Sequence, residues 1–270
     1  SHRFKDAVTF RTNVTYAYRR ELFNNSDVSL WKRAEREYTP NRPVNIEADP
    51  VVFENHHALI WTNNLEWRPG LKYYVRNGRK NPLYESAPLV NFRYTKAIPG
   101  VFNNPMASKF DFVEASIEHF FNFGVSGKLD FNVSAGAFLN NDRVYFMDFK
   151  HFGGNMTIIA NMGVAANYRF LDYYQYSTQT QYVSGIVHYQ FRKFLLTQLP
   201  MLRFSGVREN IFFNYLKTQN SPHYWEVGYS LDNLFRIFRV EMGAGFENSN
   251  YQRGGFRFGI ASFINVNFED

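Results

Sequence analysis

Residues 254–268 read GGFRFGIASFINVNF, and this stretch gives the strongest indication of the fold. Because successive side chains of a strand point to opposite faces, the even positions from Phe256 to Phe268 share one face, which is apolar except for Ser262. The odd positions form a second face of mostly small, polar or charged residues, among them Arg257. A long strand with one apolar and one polar face is typical of a membrane β-barrel. For this stretch alone, a strand of a soluble sandwich stays open as the alternative.

The same alternation recurs along the chain in unusually long runs. From 123 to 139, apolar side chains occupy the odd positions and polar or small ones the even positions, with Phe138 as the exception. Similar runs begin at Val8, Trp225 and Phe238. Soluble strands average about 5–6 residues, whereas a tilted membrane strand needs roughly 9–11. The sequence therefore predicts an all-β fold, an antiparallel transmembrane β-barrel with about twelve visible strands.

Turn-forming Asn, Gly and Pro residues divide the chain into these strands. Residues 1–270 are predicted to form a single barrel domain that is truncated at its N-terminus, because the chain begins without an initiator Met or a signal sequence. A long loop at 24–50 contains a predicted short helix at 27–37. We expect strands near 5–22, 53–68, 71–77, 88–96, 109–121, 123–139, 156–169, 181–193, 203–217, 223–232, 235–247 and 254–268.

Composition agrees with a membrane barrel and argues against several other classes. Aromatic residues make up 19% of the chain, as expected if aromatic girdles flank the lipid-facing strands. The mean hydropathy is −0.40, because polar positions alternate with the apolar ones. The chain has no cysteine, which excludes disulfides and Cys-based zinc sites. The net charge of +6 is scattered without a basic tract, so we expect no nucleic-acid partner.

Catalytic motifs are missing from the sequence. It contains no P-loop, Rossmann glycine pattern or Gly-x-Ser-x-Gly elbow. His56 and His57 are adjacent, so they face opposite sides of a strand and are poor joint metal ligands. We therefore expect no enzyme activity, no cofactor and no metal site. The alternative is a hydrolase at the barrel rim that uses Asp172, Ser177 and His188.

Residues 140–156 differ from a simple hairpin turn. Polar residues accompany a glycine pair there, and glycine allows close approach of another backbone. We interpret this stretch as a loop folded into the barrel lumen, where its polar side chains bind the barrel wall; a long surface loop is the alternative. The lumen-loop candidates are Asp148, Lys150, His151, Phe152, Gly153, Gly154 and Asn155.

A set of ordered motifs resembles one family: HFGGN at 151–155, LDYY at 171–174, YST at 176–178, LPML at 199–202, YWE at 224–226, LDNLFRIFR at 231–239 and FE at 246–247. It comprises Gram-negative outer-membrane proteins of unknown function, with an N-terminal carboxypeptidase-regulatory-like domain, absent here, and a C-terminal barrel. The family-motif residues in this sequence are Asp172, Tyr173, Tyr174 and Ser177.

The family's barrel in turn resembles the surface-antigen superfamily of Bam- and Tam-type assembly factors. Those proteins close a 16-stranded barrel and place an inward loop with an Arg-Gly-aromatic motif in the lumen. The resemblance implies that this chain is the C-terminal part of such a barrel and that 151–155 is the counterpart of the inward loop. Lys150 and His151 stand here where the relatives carry the Arg.

The resemblance implies an outer-membrane protein that acts in the assembly, insertion or export of outer-membrane and surface proteins. Its expected partners are outer-membrane lipids and client outer-membrane proteins or periplasmic domains. The alternative is a passive or substrate-specific pore for small solutes. In either case the predicted lumen-lining residues are Arg11, Arg19, Lys128, Asp130, Arg239, Glu241 and Arg257.

Overall fold

The computed structural model describes residues 2–4, 6–21, 43–100, 106–155, 157–160, 167–200, 202 and 205–261. Within these ranges, regular structure consists of strands and three single-turn 3-10 helices at Tyr84–Ser86, Phe146–Asp148 and Leu196–Gln198. The strands are β1 (His2–Phe4), β2 (Val8–Arg19), β3 (His56–Trp67), β4 (Lys72–Arg76), β5 (Arg79–Leu83), β6 (Leu89–Ala97), β7 (Lys109–Asn122), β8 (Gly127–Arg143), β9 (Gln181–Phe191), β10 (Arg208–Thr218), β11 (Tyr224–Leu234), β12 (Phe238–Glu247) and β13 (Asn250–Ile260).

Eleven strands form one antiparallel sheet in the order β1-β2-β3-β6-β7-β8-β9-β10-β11-β12-β13. Strands β4 and β5 pair only with each other, as a hairpin inserted between β3 and β6. Each strand of the large sheet therefore lies beside the next one along the chain. This order brings the long connection between β8 and β9 to the middle of the sheet.

The predicted all-β antiparallel architecture is confirmed, and all but one of the predicted strands overlap an observed strand. The strand predicted at 156–169 is not found in its described residues, 157–160 and 167–169, which form one bridge, between Ile159 and Phe258. Residues 156 and 161–166 lie outside the described ranges. Asn155 ends the extended chain there, because its side chain binds Thr157 and Ile159 in a local turn. The sequence does not predict the short strands β1 and β5. The predicted helix at 27–37 lies outside the described residues.

Closure of the sheet into a barrel is not found, because the described residues of the end strands β1 and β13 do not pair with each other. No helix in the described ranges has the length and apolar character needed to cross a bilayer.

The two faces of the large sheet differ in polarity. We call the face against which the β8–β9 connection packs the packed face, and the opposite one the apolar face. The packed face holds buried charged side chains, including Glu226, Asp232 and Arg239. Large exposed side chains alternate with them on the apolar face: Val14, Tyr16, Trp61, Leu65, Phe92, Ile117, Val133, Val183, Phe213, Val227, Met242, Phe256 and Phe258.

The core lies between the packed face and residues 144–180, which we call the β8–β9 segment. Phe152 of this segment packs against both of the larger buried clusters. Glycine makes room in the sheet below them, because a Cβ atom at Gly228 would lie 2.2 Å from the Phe212 ring. The first cluster contains Tyr168, Leu171, Tyr176, Ile186, Leu216 and Tyr224, and the second contains Ala97, Phe110, Phe112 and Tyr182.

Candidate functional site

The start of the β8–β9 segment is attached to the first strands of the sheet through Asp148. The carboxylate of Asp148 forms an ion pair with Arg19 of β2. It also accepts a 2.8 Å hydrogen bond from the Ser108 hydroxyl and lies 3.9 Å from Nε2 of His56 on β3. The His56 ring stacks on Tyr145 with centroids 3.7 Å apart. These contacts surround the buried carboxylate of Asp148 and fix its position.

Lys150 and His151 connect the two halves of the segment. The backbone of Lys150 forms a bridge with Thr178, and its ammonium group pairs with Glu114 of β7. Nδ1 of His151 lies 2.7 Å from the hydroxyl of Ser177. Burial lowers the pKa of His151, although the nearby Asp148 carboxylate opposes this shift. The buried environment thus favours the neutral imidazole, which forms a hydrogen bond with the Ser177 hydroxyl.

The glycine pair permits a close backbone approach, as the sequence suggested. The Gly153 carbonyl accepts a 2.8 Å hydrogen bond from the Tyr168 N–H. A Cβ atom at Gly154 would lie 2.4 Å from the carbonyl oxygen of Leu171. The backbone that approaches belongs to the second half of the same segment.

The second half of the segment is held by a buried carboxylate on β11. Glu226 is fully buried and accepts hydrogen bonds from the backbone N–H groups of Arg169, at 2.8 Å, and Phe170, at 2.6 Å. It also accepts one from Asn214 at 2.8 Å and one from the Tyr224 hydroxyl at 2.6 Å. Every lone-pair direction of this carboxylate is thus occupied by a donor.

Arg169 is the buried cation of the segment. Its guanidinium lies over the Phe212 ring at 3.8 Å, and its Nε atom is 3.5 Å from Glu241 of β12. Arg257 of β13 donates a 2.8 Å hydrogen bond to the Arg169 carbonyl. The family resemblance directs attention to an arginine before the glycine pair, and Arg169 was not among the predicted residues. In the sequence, the feature that could have indicated Arg169 is the aromatic residue directly after it, Phe170, because the related loops carry an Arg-Gly-aromatic motif.

The segment also covers part of the edge of β13. The Ala261 N–H group donates to the carbonyl of Ile237, the residue before β12, and the N–H and C=O groups of Phe258 point to the opposite edge of β13. Phe258 donates to the Ile158 carbonyl at 2.8 Å and accepts from the Ala160 N–H at 2.7 Å. We call residues 158–160 the edge cap.

Side chains reinforce the edge cap. The Ile159 carbonyl accepts hydrogen bonds from Arg257 at 2.7 Å and from Asn155 at 3.0 Å. The predicted candidates Asn155 and Arg257 therefore meet at this carbonyl. The β8–β9 segment consequently contacts strands from β2 to β13.

The predicted lumen-lining residues share one face of the large sheet. By strand register, all predicted lumen-lining residues lie on the packed face. Besides the pair of Arg19 with Asp148, oppositely charged groups pair among them and their neighbours: Arg11 with Glu66, Lys128 with Asp130, and Arg239 with both Asp232 and Glu241. Glu241 and Arg257 adjoin Arg169.

The family-motif residues do not assemble a hydrolase site. Asp172 forms an ion pair with Arg253 of β13, whereas Ser177 contacts His151. Both ring nitrogens of the buried His188 lack hydrogen-bond partners among the described residues. Tyr173 and Tyr174 are exposed large side chains. Asp172, Ser177 and His188 are thus not brought together.

Residues 1–231 match the C-terminal domain of a family of unknown function, DUF5686. The chain belongs to this family. The part that matches the DUF5686 domain includes the whole β8–β9 segment and the strands up to most of β11. No curated protein matches the chain. The predicted membership in a family of unknown function is confirmed, and the relation to the surface-antigen superfamily stays a prediction.

Proposed function

We propose that this DUF5686 domain is a β-barrel of the Gram-negative outer membrane that acts, without catalysis, in the assembly, insertion or export of outer-membrane and surface proteins. In this proposal the apolar face contacts lipid and the packed face surrounds the β8–β9 segment. The edge of β13 is the place where a client strand is received.

The membrane part of the proposal depends on the inverted polarity of the sheet. Water-soluble proteins rarely bury ionised side chains or expose large continuous apolar patches. In this domain Glu226 and Arg239 are buried on the packed face, while Val14, Phe213 and Met242 are exposed on the apolar face. Apolar side chains outside and polar side chains inside are the arrangement of a membrane β-barrel.

The contacts of the β8–β9 segment support a curled sheet. Arg19 near one end of the sheet binds Asp148 of this segment. Arg257 on the last strand binds the carbonyl groups of Arg169 and Ile159, also in this segment. A sheet whose second and last strands contact the same segment on one face is expected to wrap around it, as a barrel wall does.

The edge cap supports the proposal that clients are received by strand addition. Extended segments commonly bind proteins by adding a strand to an open sheet edge. The cap uses two backbone hydrogen bonds to Phe258, so a longer strand paired along β13 would form more of them. The client strand would therefore displace the cap from β13.

A disulfide provides the test, because the chain contains no native cysteine. We expect the variant I159C/F258C to cross-link the cap to β13 upon oxidation, since these two residues are bridge partners. In liposomes that contain the full-length protein, oxidation should abolish the accelerated insertion of a urea-unfolded outer-membrane barrel, and reduction should restore it. Undiminished insertion by the cross-linked protein would overturn strand addition. An unmodified protein that gives no acceleration would overturn the assembly role.

A pair of glycine variants provides the opposite perturbation. A Cβ atom at Gly259 would lie 2.7 Å from the Ala160 carbonyl oxygen, so Gly259→Ala should loosen the cap and speed insertion. Gly255→Ala is the matched control on the same strand, because nothing lies within 4 Å of its added Cβ. Equal effects of the two variants would contradict the assigned role of the cap.

A further inference from the structure

A second feature of the apolar face is the connection between β9 and β10. Its single 3-10 turn at Leu196–Gln198 exposes leucines on both sides: Leu195 is 64% exposed and Leu199 is 51% exposed. Thr197, between them, is buried. We call residues 192–199 the leucine turn. Its apolar side chains face outward, which is the reverse of a turn that folds onto a core.

A buried carboxylate fixes the leucine turn. Glu209 of β10 is fully buried, although it is adjacent to Asn210 of the packed face and therefore points to the opposite side. Its carboxylate accepts hydrogen bonds at 2.9–3.2 Å from four consecutive backbone N–H groups, those of residues 194–197. The hydroxyls of Thr197 and Tyr229 also donate to it. These bonds hold the turn against β10 and β11 and fix the outward direction of its leucines.

An apolar groove of about 830 Å³ adjoins the leucine turn. Small residues, Ala244 and Gly255, lie along it, so the surface of β12 and β13 is lowered there. Its volume and apolar lining suit a hydrocarbon chain. The larger lining side chains are Phe194, Leu195, Leu196, Val227, Met242 and Phe256.

Charge identifies the kind of lipid. Residues 191–200 include Arg192 and Lys193 and no acidic residue. Both basic side chains are exposed, directly before the leucines. Exposed apolar side chains beside basic ones are typical of segments that lie at a membrane surface and attract anionic lipid.

We propose that the leucine turn is a membrane-interface anchor that binds an anionic phospholipid. The leucines enter the acyl-chain region, one acyl chain lies in the groove, and Arg192 and Lys193 bind the phosphate. Glu209 is the positioning residue. The inference rests on the proposed function, since it requires that the apolar face meet lipid.

Single cysteines labelled with an environment-sensitive fluorophore test the location, because the chain has none of its own. Labels at Leu195, at Val14 on the apolar face away from the groove and at Ser249 in the exposed β12–β13 turn are compared in vesicles whose acyl chains carry bromine quenchers. We expect quenching at Leu195 and Val14 and none at Ser249. Quenching at Val14 without quenching at Leu195 overturns the anchor and leaves the barrel standing. Absence of quenching at both positions overturns the barrel as well. A Leu195 label shielded from water but not quenched indicates a protein contact and overturns the lipid assignment.

Lipid selectivity tests the charges. The double variant R192Q/K193Q in the full chain should retain several-fold less phosphatidylglycerol than the unmodified protein after extraction from mixed phosphatidylcholine/phosphatidylglycerol vesicles. The matched control R76Q/R79Q removes two exposed charges from the β4–β5 hairpin and should retain the normal amount. Equal losses in the two variants, or no loss in either, would overturn phosphate binding. Glu209→Ala should release the Leu195 label from the lipid while the Val14 label stays quenched.

Discussion

We expect Glu226 to stabilise the packing of the β8–β9 segment more than any other single residue does. Four groups donate to its fully buried carboxylate, and two of them are backbone N–H groups of the segment itself. Glu226→Ala leaves those donors unpaired, so we expect the free energy of unfolding to fall by about 3–5 kcal/mol. Urea unfolding in detergent micelles, followed by tyrosine and tryptophan fluorescence, measures the loss.

A second glutamate on the packed face serves as the control. Glu66 pairs with Arg11, whose side chain is half exposed, and water screens such a pair. Glu66→Ala should therefore change the free energy of unfolding by less than about 1 kcal/mol. Similar losses for Glu66→Ala and Glu226→Ala would contradict the special role of Glu226.

His151 gives the segment a dependence on pH. Burial lowers the pKa of His151 in the folded state below its ordinary value of 6.5, so the folded state favours the neutral ring. The associated stabilisation is present above pH 6.5 and is lost as the pH falls through the lowered pKa. Between pH 7.5 and pH 5, amide hydrogen exchange at 150–153 should accelerate several-fold beyond the intrinsic pH effect. If the variant His151→Gln shows the same acceleration of exchange, the pH dependence arises from a group other than His151.

Some of these residues were accessible from the sequence and others were not. The stretch from Asp148 to Asn155 stood out because glycines and polar groups cluster where no hairpin needs them. Arg169 did not stand out, because it occupies an ordinary position in its own stretch, and Glu226 appeared only as the last residue of the YWE motif at 224–226. Their importance arises from a contact across 57 residues of sequence, and the local pattern carries no trace of such a pairing.

At the scale of elements, period-two alternation predicted the strands well because each strand has one apolar and one polar face. The rule failed for the described residues of 156–169, where Asn155 turns the chain and only the edge cap forms a bridge with a strand. It also failed to separate the β4–β5 hairpin from the large sheet, because alternation specifies the faces of a strand and leaves its neighbours undetermined.

Two adjacent residues of β2 test the assignment of faces. Val14 is 62% exposed on the apolar face, and Thr15 lies on the packed face. In a membrane barrel Val14→Arg should destabilise the inserted protein by about 2–4 kcal/mol, because it places a charge in the hydrocarbon. Thr15→Arg should cost much less, because that side is polar. The measurement is urea-dependent folding into phospholipid vesicles, and equal costs for the two variants would refute the register.

For the whole molecule, the distribution of charge over the two faces of the sheet could be predicted from sequence. The packing of the β8–β9 segment against one of these faces could not. Period-two alternation alone assigns Arg239, Glu241 and Arg257 to the polar faces of their strands. That these side chains adjoin Arg169 or its ion-pair partners depends on how the β8–β9 segment folds back on itself. In the proposed barrel, the β8–β9 segment would occupy the space through which solute passes, which favours an assembly or export role over that of an open pore.

Conductance across a planar bilayer distinguishes these two roles. We expect the full-length protein to be closed, since Phe152, Tyr168 and Leu171 pack against the sheet in the buried cores. Replacing residues 152–172 by a flexible linker removes these side chains and should produce stable channels. Shortening the β4–β5 hairpin, which pairs with no other strand, should leave the protein closed. If the intact protein and the linker variant conduct alike, the segment does not close the interior, and the solute pore becomes the better account of this domain.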